Sequence, residues 1–171
     1  MAQRRRSLYG NPAANERDGR LSIGSGVTDG ELKITVIKDS GDDRGSSFSA
    51  PTGSFEEGFA VRDAHLSTLQ PGHVRGNHFH IARHEVLLVT SVDRWSLHWD
   101  NGTGTPVEYR SFDGATAVVI QVPPYASHAI KNDGTAPLHI VGLTDGPYDP
   151  AAPDAYPRQV IRPLTRSPGR R

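Results

Sequence analysis

Short segments in which apolar and polar residues alternate follow one another along most of this chain. Residues 32–38 alternate cleanly, which is the pattern of a β-strand with one buried face. Asn-Gly and Asp-Gly pairs, which favour tight turns, occur at 101–102, 113–114 and 133–134. Further β-type runs lie at 59–69, 76–81, 85–90, 94–100, 107–112, 116–122, 128–131 and 138–143. This regular spacing predicts an all-β sandwich or barrel without a long helix.

The composition agrees with one modest domain flanked by two polar ends. The chain has 171 residues, and its 18 glycines and 13 prolines favour strands and turns over long helices. Residues 1–30 have little periodicity and predict a flexible arm, whereas the basic, proline-bearing residues 162–171 predict a disordered tail. The folded domain is therefore expected to span 31–161.

Charge and cysteine content exclude several classes of protein. Lys+Arg and Asp+Glu both number 19, so bulk charge favours neither nucleic acid nor membrane as a partner. Without cysteine the chain has no disulfide framework, no thiolate nucleophile and no Cys-ligated zinc. Residues 3–7 resemble a twin-arginine signal only superficially, since no apolar region follows them. We expect a cytoplasmic protein with a small-molecule substrate.

Candidate metal ligands are concentrated after the turn at Pro71-Gly72. His78 and His80 are two residues apart, so on a strand their side chains share a face, and a short reversal would let Glu85 meet them. His128, further along the chain, is a fourth candidate. Imidazoles and a carboxylate on one side suit a borderline divalent metal with a position open for substrate or water.

These residues resemble the two motifs of the cupin family, G-x5-H-x-H-x3–4-E-x6-G and G-x5-P-x-G-x2-H-x3-N. Gly72 precedes the two histidines and the carboxylate at the spacing of the first motif, and Pro123, His128 and Asn132 fit the second. The resemblance implies a single cupin jelly-roll barrel of short antiparallel strands. It also implies one divalent ion per chain at His78, His80, Glu85 and His128, with zinc favoured and iron, manganese or nickel as alternatives.

Three glycines of the cupin motifs are replaced, by Val92, Ala117 and Tyr125. Because those glycines serve turns, their replacement affects loop conformation rather than the ligand set. Tyr125 places a phenol beside His128 and would suit an acid that returns a proton to the substrate.

Within the cupins, the chain resembles proteins that act on nucleotide-activated sugars. Residues 75–78 are similar to the R-G-x-H of dTDP-4-dehydrorhamnose 3,5-epimerases and dTDP-sugar 3,4-ketoisomerases, and residues 43–45 are similar to their D-x-R-G turn. Over residues 32–161 the chain resembles the C-terminal cupin of capsular-polysaccharide epimerase-reductases, including the tail at 146–156. A glycine-rich dinucleotide fingerprint is absent, so no nicotinamide cofactor is expected.

The resemblance implies epimerisation or ketone migration next to a sugar ketone. Such a reaction needs a base, a group that stabilises the enolate, and an acid. Glu85 counts among both the ligands and the catalytic candidates, Tyr125 is the candidate acid, and Arg44 and Arg75 are candidates for holding a diphosphate. In metal-free 3,5-epimerases the R-G-x-H histidine is the base, which would be His78; the added ligand pattern favours the metal role.

The other histidines are weaker candidates. His98 alternates with aromatic residues and faces either the cavity, where it would contact substrate, or solvent. His84 is adjacent to Glu85 and would face the opposite way on a strand. We expect His65, His73 and His139 to be surface or core polar residues.

Two further classes of function stay open at the level of sequence. The same ligand shell serves oxygenases, lyases and cyclases that tailor secondary metabolites, and a cupin can also bind a sugar or effector without catalysis. A homodimer is expected, because the apolar face of Trp95, Leu97 and Trp99 suggests a covered surface.

Overall fold

The computed structural model describes residues 30–161, which form two antiparallel sheets and no helix. The prediction of an all-β jelly roll of short antiparallel strands is confirmed. The predicted arm and tail lie almost wholly outside the described residues. Nothing helical in 30–161 has the length and apolarity needed to cross a membrane. The strands are β1 (Lys33–Ile37), β2 (Asp63–Leu69), β3 (Val74–Phe79), β4 (Glu85–Ser91), β5 (Trp95–Asp100), β6 (Glu108–Phe112), β7 (Thr116–Val122), β8 (Ser127–Asn132), β9 (Leu138–Thr144) and β10 (Tyr156–Pro157).

Most strands that follow one another in the chain lie in opposite layers, the exceptions being the pairs β1/β2 and β5/β6. One sheet has the order β1-β7-β4-β9-β2, and the other has the order β10-β3-β8-β5-β6. The strands β3 and β4 are adjacent in sequence but lie in different sheets, so residues 80–84 cross from one layer to the other. A residue at the start of β4 can therefore face residues at the end of β3 across the space between the sheets.

The hydrophobic core fills the space between the two layers. Trp95 and Leu97 are 1% and 0% exposed, and they pack with buried residues of the opposite sheet such as Ile120. Burying side chains of this size stabilises the fold by about 1.5–3 kcal/mol each. The expectation that Trp95, Leu97 and Trp99 form a surface covered by a second chain is corrected here, because all three are part of this core.

The second cupin motif ends in a residue that holds loops together rather than a ligand. Asn132 is fully buried, and its side-chain amide donates to the carbonyls of Leu69 and Ala136 at 2.9 and 2.8 Å. Its Oδ1 accepts from the backbone N–H of Gly134 at 3.0 Å. Since every polar atom of this amide is used, Asn132 ties β8 to the loops that follow β2 and β8.

Candidate functional site

The four predicted metal ligands come from both sheets and meet at one end of the barrel. His78, on β3, is directly opposite His128, on β8, in the antiparallel register. His80 follows the end of β3, and Glu85 begins β4 in the facing sheet. His80, Glu85 and His128 are buried, with exposures of 7%, 4% and 3%. The structure thus brings together residues that are separated by up to 50 positions in sequence.

A β-bulge sets the direction of the His78 side chain. The register between β3 and β8 shifts between Gly76 and His78. Gly76 has a φ of 99°, and a Cβ there would lie 2.5 Å from the carbonyl oxygen of His128, so only glycine fits without a rearrangement. Asn77 has a φ of 59°, and its Oδ1 accepts from the backbone N–H groups of Val160 and Ile161 at 3.0 Å. The glycine and asparagine of the R-G-N-H segment therefore have structural roles.

The ligand atoms converge within coordination range. One nitrogen each of His78 and His80 and a carboxylate oxygen of Glu85 all lie within 4.8 Å of one another. Glu85 Oε2 is 3.7 Å from His80 Nε2 and 3.2 Å from His128 Nε2. The ring centroid of His78 lies 5.0 Å from that of His80 and 4.9 Å from that of His128.

The hydrogen bonding of these groups fits a metal ion. His80 Nδ1 donates to the backbone carbonyl of Asp154, so in the neutral ring Nε2 carries the lone pair. That Nε2 and Glu85 Oε2 are both buried and face each other, yet neither has a hydrogen-bond partner among the described residues. Two buried acceptors in contact need a shared cation or proton. A donor set of three imidazoles and a carboxylate is one that a divalent transition metal accepts.

Burial and mutual attraction shift the pKa values of the cluster residues in different directions. Burial, the largest effect, lowers the pKa of His128 from 6.5 to about 4, although the charge of Glu85 opposes it. Burial and the neighbouring His80 also lower the pKa of His78. Burial disfavours the charged form of His80 as well, but the negative charge of Glu85 close by and the hydrogen bond to the Asp154 carbonyl outweigh it and raise the pKa of His80. Burial would raise the pKa of Glu85, but the surrounding histidines hold it at about 2, so Glu85 is ionised.

Two cavities open next to this cluster. The larger has a volume of about 520 Å³. The smaller has a volume of about 150 Å³. His78 and Glu85 contribute to both linings, whereas His80 lines the larger cavity and His128 the smaller one. The cluster therefore lies where a bound small molecule would reach it.

The other predicted site residues are not all near these cavities. Arg75 lines the smaller cavity. Arg44 lies in an exposed loop, where it pairs with Asp42 at 2.6 Å. Neither cavity lining in 30–161 includes Tyr125 or His98.

The physical reasons for these placements are local. Tyr125 has a φ of 68° and its ring stacks on Phe79, with centroids 6.5 Å apart, so the phenol is directed away from the ligand cluster's cavities. His98 stacks on Tyr109 and its Nε2 is 3.2 Å from Ser96 Oγ. His98 thus points to the outer side of its sheet, since its neighbours Leu97 and Trp99 point into the core.

Sequence reasoning missed several residues around the cavities. His65 lines both cavities, and its ring occupies the space over Gly142 where a Cβ would lie 2.2 Å from the ring. Alternation along β2 puts Asp63, His65 and Ser67 on one face, and this pattern could have indicated from the sequence that they lie together. Tyr148, also in the lining of the larger cavity, follows the last long strand and had no such signal.

His84 is held away from the cluster, as expected from its position beside Glu85. Its Nδ1 lies 3.0 Å from Asp145 Oδ2, and its backbone N–H donates to Asp145 Oδ1 at 2.8 Å. His73 and His139 are exposed and bond to nearby loop or strand groups.

Comparison with solved structures finds the same fold in other proteins. CapF from Staphylococcus aureus, a capsular polysaccharide assembling protein, matches 72% of this chain with a TM-score of 0.53 and 23% identity. The match covers 34% of CapF, so this chain spans about a third of that protein's length. These values show a shared fold.

Two smaller proteins match over more of their own length. QdtA from Thermoanaerobacterium thermosaccharolyticum, a sugar 3,4-ketoisomerase, has a TM-score of 0.53 at 16% identity, covering 72% of this chain and 85% of QdtA. NovW from Streptomyces spheroides, a 4-keto-6-deoxy sugar epimerase, has a TM-score of 0.55 at 19% identity, covering 77% and 69%. The resemblance to cupin epimerases and isomerases is therefore confirmed at the level of fold.

Comparison of the sequence with protein-family models assigns the chain to a family. No functionally curated protein matches the sequence significantly. The polysaccharide biosynthesis C-terminal domain family matches residues 41–156, a range that contains all four clustered ligand candidates and both cavities' main walls. This chain is a member of the polysaccharide biosynthesis C-terminal domain family.

Proposed function

We propose that this protein is a metal-dependent epimerase or isomerase that acts next to the ketone of a nucleotide-activated sugar. The observation that carries the proposal is the buried cluster of three imidazoles and one carboxylate at the junction of two cavities. The family membership and the sugar epimerases and isomerases among the structural neighbours support this class of substrate.

His78, His80, Glu85 and His128 would hold one divalent ion per chain, with zinc favoured over iron, manganese and nickel. When bound, the ion supplies Lewis acidity that polarises a ketone and stabilises negative charge on the enolate oxygen. The depressed pKa of Glu85 keeps its carboxylate ionised, as a ligand must be.

Other side chains on the cavity walls are positioned for substrate binding and proton transfer. His65 and Tyr148 line the larger cavity and are not candidate ligands, so they replace Tyr125 as the groups to remove and return a proton. Arg75, at the smaller cavity, would bind an anionic group such as the diphosphate. Arg44 is committed to Asp42 on the surface and has no part in this proposal.

The test combines metal analysis with solvent exchange. Purified protein is analysed for bound metal and then incubated in D2O with TDP-4-keto-6-deoxyglucose, a ligand present in a QdtA structure. We expect close to one metal ion per chain. We also expect deuterium to enter at the carbons next to the ketone, which NMR detects. His78→Ala and His128→Ala should lose both metal and exchange, whereas the control His84→Ala should keep both, because His84 is bonded to Asp145.

Several results would contradict the proposal in different ways. Exchange at full rate in metal-free protein would favour the metal-free mechanism with His78 as base. Bound iron with oxygen uptake would indicate a dioxygenase. Tight binding of the sugar nucleotide without exchange would indicate a binding module.

A further inference from the structure

The segment after β9 folds back over the loop that carries His80. We call residues 145–161 the C-terminal strap. Within it, Asp154 Oδ1 accepts from the backbone N–H of Ile81 at 3.0 Å, and Oδ2 accepts from the backbone N–H of Ala82 at 3.2 Å. Oδ2 also accepts from Arg83 Nε at 3.2 Å. One carboxylate therefore binds three consecutive residues of the crossing between the two sheets.

The backbone of the same residue contacts His80 directly. His80 Nδ1 donates to the carbonyl oxygen of Asp154, although these two residues are 74 positions apart. Asp154 has a φ of 44°, a left-handed conformation that aspartate and asparagine adopt more readily than most residues. The side chain of Asp154 therefore holds the crossing loop, and its backbone carbonyl holds the ring of His80.

The ion pair within this arrangement is well shielded. The side chains of Arg83 and Asp154 are 7% and 15% exposed, and Arg83 also donates to the carbonyl of Pro153 at 2.9 Å. The strap residues Pro153 and Ala155 form part of the wall of the larger cavity, and so does Arg83. The strap thus joins the cavity wall to the ligand cluster.

We propose that Asp154 is a positioning residue that fixes the tautomer and orientation of His80, so that Nε2 presents its lone pair to a metal ion. The proposal rests on the proposed function for the identity of the ion, but the contact between Asp154 and His80 does not depend on it. A histidine ligand whose other nitrogen donates to a fixed carbonyl is a better and more rigid donor, and loss of such a partner typically weakens metal affinity 10–100-fold.

The test measures metal affinity and the tautomer separately. Asp154→Asn keeps the left-handed preference and one side-chain acceptor but presents an amide NH2 to the loop donors, and Asp154→Ala removes both side-chain acceptors. Both variants keep the backbone carbonyl that accepts from His80, so they act by freeing that carbonyl from its fixed position. Asp149→Asn is the matched control, because Asp149 lies in the strap and, within residues 30–161, its side chain accepts only from the backbone N–H of Ala151, at 2.8 Å. Zinc affinity is measured by competition with a chromophoric chelator, below the melting temperature of every variant.

The tautomer is read by ¹⁵N NMR of metal-free protein, at a pH above the raised pKa of His80, where the ring is neutral. Signals of His80 are assigned by comparison with His80→Gln. We expect the Nδ1–H tautomer in the wild type and in Asp149→Asn, and a mixture of tautomers in the Asp154 variants. Zinc affinity should fall about 10-fold for Asp154→Asn and further for Asp154→Ala.

The outcomes separate this proposal from the proposed function. Zinc affinity within twofold of the wild type, with an unchanged His80 tautomer in both Asp154 variants, would overturn it. If the wild type binds no zinc, the proposed function fails on its own, and the NMR comparison still decides the role of Asp154. If the alanine variant does not fold, the asparagine variant gives the decision.

Discussion

The burial of His128 predicts how the metal-free protein responds to acid. Its pKa falls from 6.5 to about 4 because the imidazole is enclosed at the end of the barrel. A group with a depressed pKa in the folded state contributes stability that is present above its unfolded pKa and is lost as the pH falls towards the folded value. The native state should therefore lose stability below pH 6.5.

The magnitude follows from the two pKa values. Between pH 6.5 and pH 4.5, where the unfolded chain takes up a proton and the buried ring does not, the loss from His128 is about 2 kcal/mol. His78 acts in the same direction because its pKa is also lowered. His80 acts oppositely: its raised pKa gives stability that is complete below 6.5 and is lost as the pH rises through the folded value. Glu85 contributes only below pH 4.5, since its pKa is lowered from there to about 2.

The assay is urea denaturation at a series of pH values with a chelator present. The free energy of unfolding of the wild type should fall between pH 6.5 and 4.5, and in His128→Gln this fall should be smaller by about 2 kcal/mol. The comparison does not depend on how stable the variant is at pH 6.5. His139→Gln is the matched control, because His139 is exposed on β9 and should leave the profile unchanged. A His128→Gln profile parallel to that of the wild type would refute the reasoning.

Three more predictions concern stability, the cavity and assembly. Asn132→Leu leaves buried backbone groups unpaired and should lower the free energy of unfolding by about 2–4 kcal/mol, measured by urea denaturation; a change below about 1 kcal/mol would contradict the role of this side chain. Gly142→Ala would place a Cβ 2.2 Å from the His65 ring and should slow deuterium exchange without changing zinc affinity; a normal exchange rate would argue against His65. Homodimerisation stays a prediction, and sedimentation giving a mass near 18.5 kDa at tens of micromolar would rule it out.

The sequence alone was enough to predict the fold and the four members of the ligand cluster. Alternation and turn pairs predict strands because the pleat puts every second side chain on the same face. The i, i+2 spacing of His78 and His80 puts both side chains on the same face of the chain, and their ring centroids are 5.0 Å apart. The cupin spacing linked this pair to Glu85 and His128, although neither local periodicity nor composition relates residues so far apart.

Only the tertiary structure decided what surrounds the cluster. Which face of β5 is buried depends on the opposite sheet, so the core position of Trp95 and the outward position of His98 could not be read from alternation alone.

The cavity walls come from segments far apart in the chain, which pack together only after both sheets have formed. His65 reaches the cavities because Gly142, on the neighbouring strand, leaves room for its ring. Asp154 meets His80 because the strap returns across β3, a contact over 74 positions that no local pattern encodes. The sequence determined which candidate ligand side chains the chain carries, whereas long-range packing decided which residues contact them and which line the cavities beside them.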